Sequence, residues 1–448
     1  MRKKYLLYVA IIITLLCLRS TIKPQSMEDK SIGERADSAK TLAAVIATGG
    51  NAEESILNWN TLTGDWFGVR EGLSLRGVDF ILTYTGEAFS SLSGGIKAGG
   101  GYLDKIDIKA NFDFEKIFNW SGASLSLYTI GMQGGDPFRF TGAGQWISNI
   151  ESADVWRLFE ARFEQNLFDG KLSLLAGLYD VNSEFDMRIT SSLFTNPSHG
   201  IGADFSQSGK NGPSIFPTSS LAFRVYYKPN LFYIRSAVLD GVPGNPENPN
   251  GTQIILRKED GLLLTTETGL INGGEDFSSG YEKFAAGAWY YTERFPDIYE
   301  QDVNGQPVTR SGNYGAYAFA EKFIFAEASD LHQGLAAFIR AGFADPDINK
   351  FHYYCGAGFS YTGLIPDRDN DVAGIAVATV VTSEKFRRQK LSDGEPVRKY
   401  ETDIEITYSL KLTPYFIFQP VAQYVINPLD APGAEHAFIA LARFQFIF

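Results

Sequence analysis

The sequence predicts an all-β protein: a transmembrane antiparallel up-and-down β-barrel of about 16 strands, with short turns at one end and long loops at the other. Three observations predict it. The chain ends on an alternating strand that stops at Phe448. It begins with an export-type segment, yet no later run reaches the ~18 apolar residues of a membrane helix. Its connections come in two lengths, one with turn chemistry and one much longer.

Arg2, Lys3 and Lys4 precede an apolar run over residues 5–18. A basic start followed by about 7–15 apolar residues is a secretory signal peptide, assigned here to residues 1–25 with its cleavage point open. Cys17 follows Leu15 and Leu16, so the small residue that lipoprotein processing requires is missing. Residues 26–57 are rich in small and charged residues and poor in aromatics, which reads as a periplasmic lead-in. The remaining cysteine, Cys355, has no partner for an internal disulfide. It falls in an alternating apolar run, where packing is the expected role.

From residue 58 to 448 no linker divides the chain, and one large barrel domain accounts for it. Ile106, Ile108, Ala110, Phe112 and Phe114 alternate with Asp107, Lys109, Asn111 and Asp113. Phe159, Ala161, Phe163 and Leu167 alternate with Glu160, Arg162, Glu164 and Asn166. Ile404, Ile406, Tyr408, Leu410 and Leu412 alternate with Asp403, Glu405, Thr407, Ser409 and Lys411. A period of two belongs to strands, not helices. In the last segment Phe438, Ala440, Ala442, Phe444, Phe446 and Phe448 share one face, while the other carries Arg443 and Gln445. A soluble sandwich would turn the apolar face inward; a membrane barrel turns it to lipid and keeps polar groups in the lumen.

Short connections include Phe168-Asp169-Gly170, Lys228-Pro229-Asn230 and Thr413-Pro414, whose residues supply turn geometry. Long ones are expected at 196–220, 240–252, 296–313 and 383–399. The first of these either folds inward and narrows the lumen or covers the outer mouth.

The formal net charge is −12, which argues against nucleic acid, a ligand that needs a concentrated basic surface. Ser208-Gly209-Lys210-Asn211 lacks the earlier glycine and the hydroxyl residue of a phosphate loop. Asp367, Asp369 and Asp371 begin like a calcium loop, but Val372 and Ala378 break the pattern. His199, His332, His352 and His436 are scattered. The sequence therefore gives no catalytic group, metal site or cofactor, and the expectation is that the protein is not an enzyme.

The barrel opens with Leu62-Thr63-Gly64-Asp65-Trp66-Phe67-Gly68-Val69-Arg70. Further on come Asp136-Pro137-Phe138-Arg139-Phe140-Thr141-Gly142 and Gly177-Leu178-Tyr179-Asp180-Val181-Asn182-Ser183-Glu184-Phe185. Asp240-Gly241-Val242-Pro243-Gly244 and Gln423-Tyr424-Val425-Ile426-Asn427-Pro428 follow. In order and spacing these motifs resemble the carbohydrate-selective porin (OprB-type) family, with Phe67 standing where that family usually has a second glycine. The resemblance implies a sixteen-stranded pore in the outer membrane of a Gram-negative bacterium. Monosaccharides or small oligosaccharides would diffuse through it passively. Its other partners would be outer-membrane lipid and the barrel-assembly machinery, which reads a terminal aromatic such as Phe448. A general or ion-preferring porin is the first alternative, and an outer-membrane hydrolase the second.

A sugar pore needs charged and amide groups for ring hydroxyls and aromatic faces for the apolar side of a pyranose. Alternation turns Glu160 and Arg162 to the lumen, and weaker patterns add Glu87 and Arg224. Trp146 or Trp156 is the expected stacking platform, while Trp66 and Trp120 sit beside turns and suit an interfacial girdle.

Overall fold

The computed structural model of the chain describes residues 59–448 apart from 249, 274–276 and 432. The expected signal peptide and lead-in, 1–25 and 26–57, lie outside the described residues. Sixteen strands follow in order: β1 (Val78–Ser93), β2 (Gly99–Asp113), β3 (Ala123–Gly134), β4 (Val155–Leu167), β5 (Leu172–Tyr179), β6 (Ser220–Tyr227), β7 (Phe232–Asp240) and β8 (Leu262–Asn272). The second half is β9 (Glu282–Gln301), β10 (Pro307–Ala326), β11 (Gly334–Ala344), β12 (Phe351–Thr362), β13 (Val372–Thr382), β14 (Tyr400–Thr413), β15 (Phe416–Ile426) and β16 (Ala437–Ile447). Each pairs antiparallel with its sequence neighbours, and β1 pairs with β16 to close the barrel. Closure removes the sheet edge that would otherwise carry unsatisfied backbone groups in a membrane.

Side-chain parity follows the alternation. On β16 Ile439 and Leu441 are buried inside while Phe438 is 40% exposed on the outer wall. On β14 Glu401, Asp403 and Glu405 are enclosed, whereas Ile406 is exposed. Cys355 is exposed on β12, so it does not pack internally.

Two local features depart from simple expectation. Residues 296–313, expected as a long loop, form the end of a hairpin whose strands β9 and β10 each have 20 residues. At about 3.3 Å per residue they outrun an apolar band of about 25 Å. Their polar sequence gives no apolar alternation, yet the backbone ladder continues from Arg294↔Ser311 to Gln301↔Pro307. Charge fastens this extension: Lys385, on the helix Glu384–Ser392, meets Asp297, Glu300 and Asp347 at 2.7, 2.8 and 2.9 Å. The second feature is a β-bulge in β4. Tyr128 pairs with Glu160 but Thr129 pairs with Leu158, so Phe159 is the extra residue. Phe159 and Glu160 both turn inward, at 2% and 7% exposure. Phe159 therefore does not share the outer face with Ala161 and Phe163.

The barrel is not hollow. The connection between β5 and β6, residues 180–219, runs into it, and Phe185, Ile201 and Phe205 join Trp289, Tyr291 and Tyr317 in the largest apolar cluster. Phe205 stacks on Trp289 with centroids 5.1 Å apart and planes 6° from parallel.

Candidate functional site

An inward loop carries backbone N–H groups away from water, and each needs an acceptor. The wall supplies carboxylates. Glu267 on β8 accepts from the Asp186 N–H at 2.8 Å, and Glu321 on β10 accepts from the Thr190 N–H at 3.0 Å. Glu405 on β14 accepts from the N–H groups of Thr195 and Asn196 at 2.7 and 2.9 Å. On β11, Arg340 pairs with Asp186 at 2.8 Å and also with Asp204. The acidic side chains of these strands are thus largely spent on fixing the 180–219 connection. Of the two positions open to it, the connection takes the inward one.

What remains is a cavity of about 1070 Å³ between that connection and the wall made by β1–β4 and β14–β16. Lys105, Lys109, Tyr128, Glu160 and Arg162 reach it from β2, β3 and β4. Cross-strand register explains the grouping, because Lys109 pairs with Tyr128 and Tyr128 with Glu160, while Ser126 pairs with Arg162. Directly opposed residues on one face lie within contact distance. Arg162 Nη1 meets Glu160 Oε1 at 3.3 Å, and the same carboxylate accepts from the Asp180 N–H at 3.2 Å. Asp180, in the connection just past β5, also lines the cavity. Burial, then the Glu160 charge, pushes its carboxyl up to about 7. Glu151, in the β3–β4 connection, is likewise raised to about 7, chiefly by burial.

The residues named from sequence divide cleanly. Glu160, Arg162 and Trp146 line the cavity together. Glu87 lies fully enclosed beneath it, holding Arg443 at 2.7 Å. Arg224 is a buried staple rather than a lining group: it bridges Glu164 at 3.0 Å and Glu184 at 2.8 Å and donates to the Ser173 hydroxyl. Trp156 is a correction. It points away from the lumen and is 45% exposed on the outer wall, because the bulge at Phe159 reverses parity between it and Glu160.

Tyr128, Asp180, Arg188 and Gln419 were not singled out from sequence, yet all face the cavity. Tyr128 shares a face with Ser124 and Ser126, alternating with Leu125 and Leu127, but a tyrosine after two serines is a short signal, and its pairing with Lys109 shows its place. Asp180 stood inside one of the motifs with nothing to mark it as polar lining. Two sequence candidates resolve into structural roles. Asp371 is held by Arg368 at 2.7 Å and accepts from the Tyr408 hydroxyl and the Lys411 N–H. His199 is enclosed between Phe194 and Phe338, and burial lowers its pKa to about 3, so it stays neutral.

Comparison with known proteins gives a consistent result. The model of the carbohydrate-selective porin, OprB family, matches residues 97–446. The chain is 27% identical over 441 residues to Porin B of Pseudomonas aeruginosa, covering 89% of this chain and 93% of that one. It is 20% identical over 411 residues to the putative porin QuiX of Acinetobacter baylyi, covering 85% and 91%. Among solved structures, OprB of Pseudomonas putida at high pH superposes with a TM-score of 0.77 at 22% identity, over 89% of this chain and all of the other.

Proposed function

The chain belongs to the carbohydrate-selective porin family, OprB, and on that premise we propose where in the barrel a sugar is recognised. It is a sugar-selective porin of the Gram-negative outer membrane. The barrel and the family point to a channel rather than a catalyst. Tyr128, Glu160 and Arg162 on the wall, with Asp180 beside Glu160 and Trp146 from the β3–β4 connection, form the recognition surface. The observation that carries this is their convergence on one cavity already narrowed by the 180–219 connection.

The chemistry suits weak, reversible binding. Glu160 accepts from ring hydroxyls and Arg162 donates to them; such charge-assisted bonds exceed neutral ones. Trp146 offers an aromatic face for the C–H side of a pyranose. Every contact must also be released, because a solute that binds a channel tightly blocks it. Movement is down the gradient, with no covalent step. Residues 1–25 serve as the export signal, 26–57 as the lead-in and 58–448 as the pore. Phe448 is the group offered to the assembly machinery, and the outward phenylalanines meet lipid.

Glucose block of single-channel current in planar bilayers tests the site. Glu160→Gln and Arg162→Met should each weaken glucose block about tenfold, equal to about 1.4 kcal/mol. Block unchanged in both variants removes these residues from recognition. Strong ion preference with no sugar block would favour the ion-preferring reading instead.

A further inference from the structure

The cations facing the cavity are not equivalent. Lys105 leans on Asp107 at 3.1 Å, Arg443 on Glu87 at 2.7 Å, and Lys210 on Glu293. Arg188 is wholly enclosed and committed to Asp186 at 2.5 Å and to the carbonyls of His199 and Gly200. Lys109 makes no ion pair among the described residues. Its ammonium lies 4.4 Å over the Tyr128 ring, and the residue is exposed toward the cavity. Arg162 spends only Nη1, on Glu160 at 3.3 Å and Ser183 at 3.5 Å. Its Nε and Nη2 stay open to a ligand.

Three carboxylates face the cavity, Glu151, Glu160 and Asp180, and Glu160 is engaged by Arg162. Burial holds Glu151 and Asp180 near the midpoint of their titration at neutral pH, which thins the negative charge further.

We propose that the cavity prefers sugars bearing a carboxylate, such as uronic acids, over their neutral counterparts, with Lys109 and the open edge of Arg162 receiving the carboxylate. This rests on the sugar site assigned above and names its ligand class. A guanidinium edge matches a carboxylate in geometry, and a lysine supplies a compact point charge beside it. Lys109 and Glu160 stand two strand spacings apart, about 10 Å. One pyranose can therefore place its carboxylate near Lys109 while its ring hydroxyls reach Glu160.

The test compares block of single-channel current by D-glucuronate and D-glucose in the intact protein. Glucuronate should block about tenfold more tightly at ~50 mM salt, with the gap shrinking at ~1 M as screening shortens to about 3 Å. Lys109→Gln should narrow the ratio, and Lys109→Arg should keep it. Equal block by the two sugars overturns the preference and leaves the sugar site standing. Block by neither overturns both. A full ratio retained in Lys109→Gln overturns the role given to Lys109.

Discussion

Arg340 on β11 and Asp186 on the inward connection form a fully enclosed ion pair at 2.8 Å, and Arg340 meets Asp204 as well. One wall residue thus ties two points of a segment that also gives backbone hydrogen bonds to Glu267, Glu321 and Glu405. Removing one member of a buried pair strands the other, at about 3–5 kcal/mol. Arg340→Met leaves Asp204 without its cation, and Asp186 with Arg188 alone. Mean conductance and open-channel noise in planar bilayers should both rise as the connection loosens. A trace identical to wild type would show that Arg340 does not hold the constriction.

The two tryptophans expected as stacking platforms separate into different environments. Trp146 lines the cavity, while Trp156 lies on the outer wall. Trp146→Ala should weaken glucose block by about 1 kcal/mol, in the range of one aromatic contact. Trp156→Ala should leave block unchanged. Equal losses in the two variants would contradict the parity reversal at Phe159.

That reversal marks where sequence reasoning stops. Alternation placed Glu160 and Arg162 correctly, because both lie on the same side of the bulge. It misplaced Trp156, because one extra residue flips the face of everything before it, and the extra residue is an ordinary phenylalanine. The barrel class was legible from period and turn chemistry, whereas chain length alone bounded the strand number only loosely. The constriction was legible only as a long connection, since its anchors, Asp186–Arg340 and Glu405 with Thr195, join residues far apart in the chain. The lead of β9 and β10 beyond the membrane was hidden for another reason. Strands that leave lipid lose the apolar face that announces them.

Phe448 closes the chain at the short-turn end, where its N–H bonds the Leu82 carbonyl at 2.8 Å beside the Ile447↔Thr83 pair of the closing strands. Deleting it removes one backbone bond from a ladder of many, a loss of about 1 kcal/mol. Folded stability should barely change. If the assembly machinery reads this aromatic, the amount reaching the outer-membrane fraction should fall sharply, while refolding of the purified chain into detergent stays intact. Equal outer-membrane levels for both chains would dismiss Phe448 as the recognised group.

The charge of the cavity should depend on pH. Asp180 is raised to about 7 first by burial and then by Glu160, against the Asn182 N–H, Arg162 and Lys109, which favour its ionised form. Glu151 is raised to about 7 by burial, with Asp136 and Glu87 adding to it and the N–H groups of Phe138 and Ile147 opposing. Both carboxyls are neutral at lower pH and anionic at higher pH. Between about pH 6 and pH 8 the lining therefore gains negative charge, as a group titrates over roughly one unit either side of its pKa. Anion-over-cation permeability, read from reversal potentials, should fall as pH rises through that window. Asp180→Asn should remove part of the slope and Asp180→Asn with Glu151→Gln most of it. A wild-type ratio that stays flat across the window would mean that neither carboxyl titrates there.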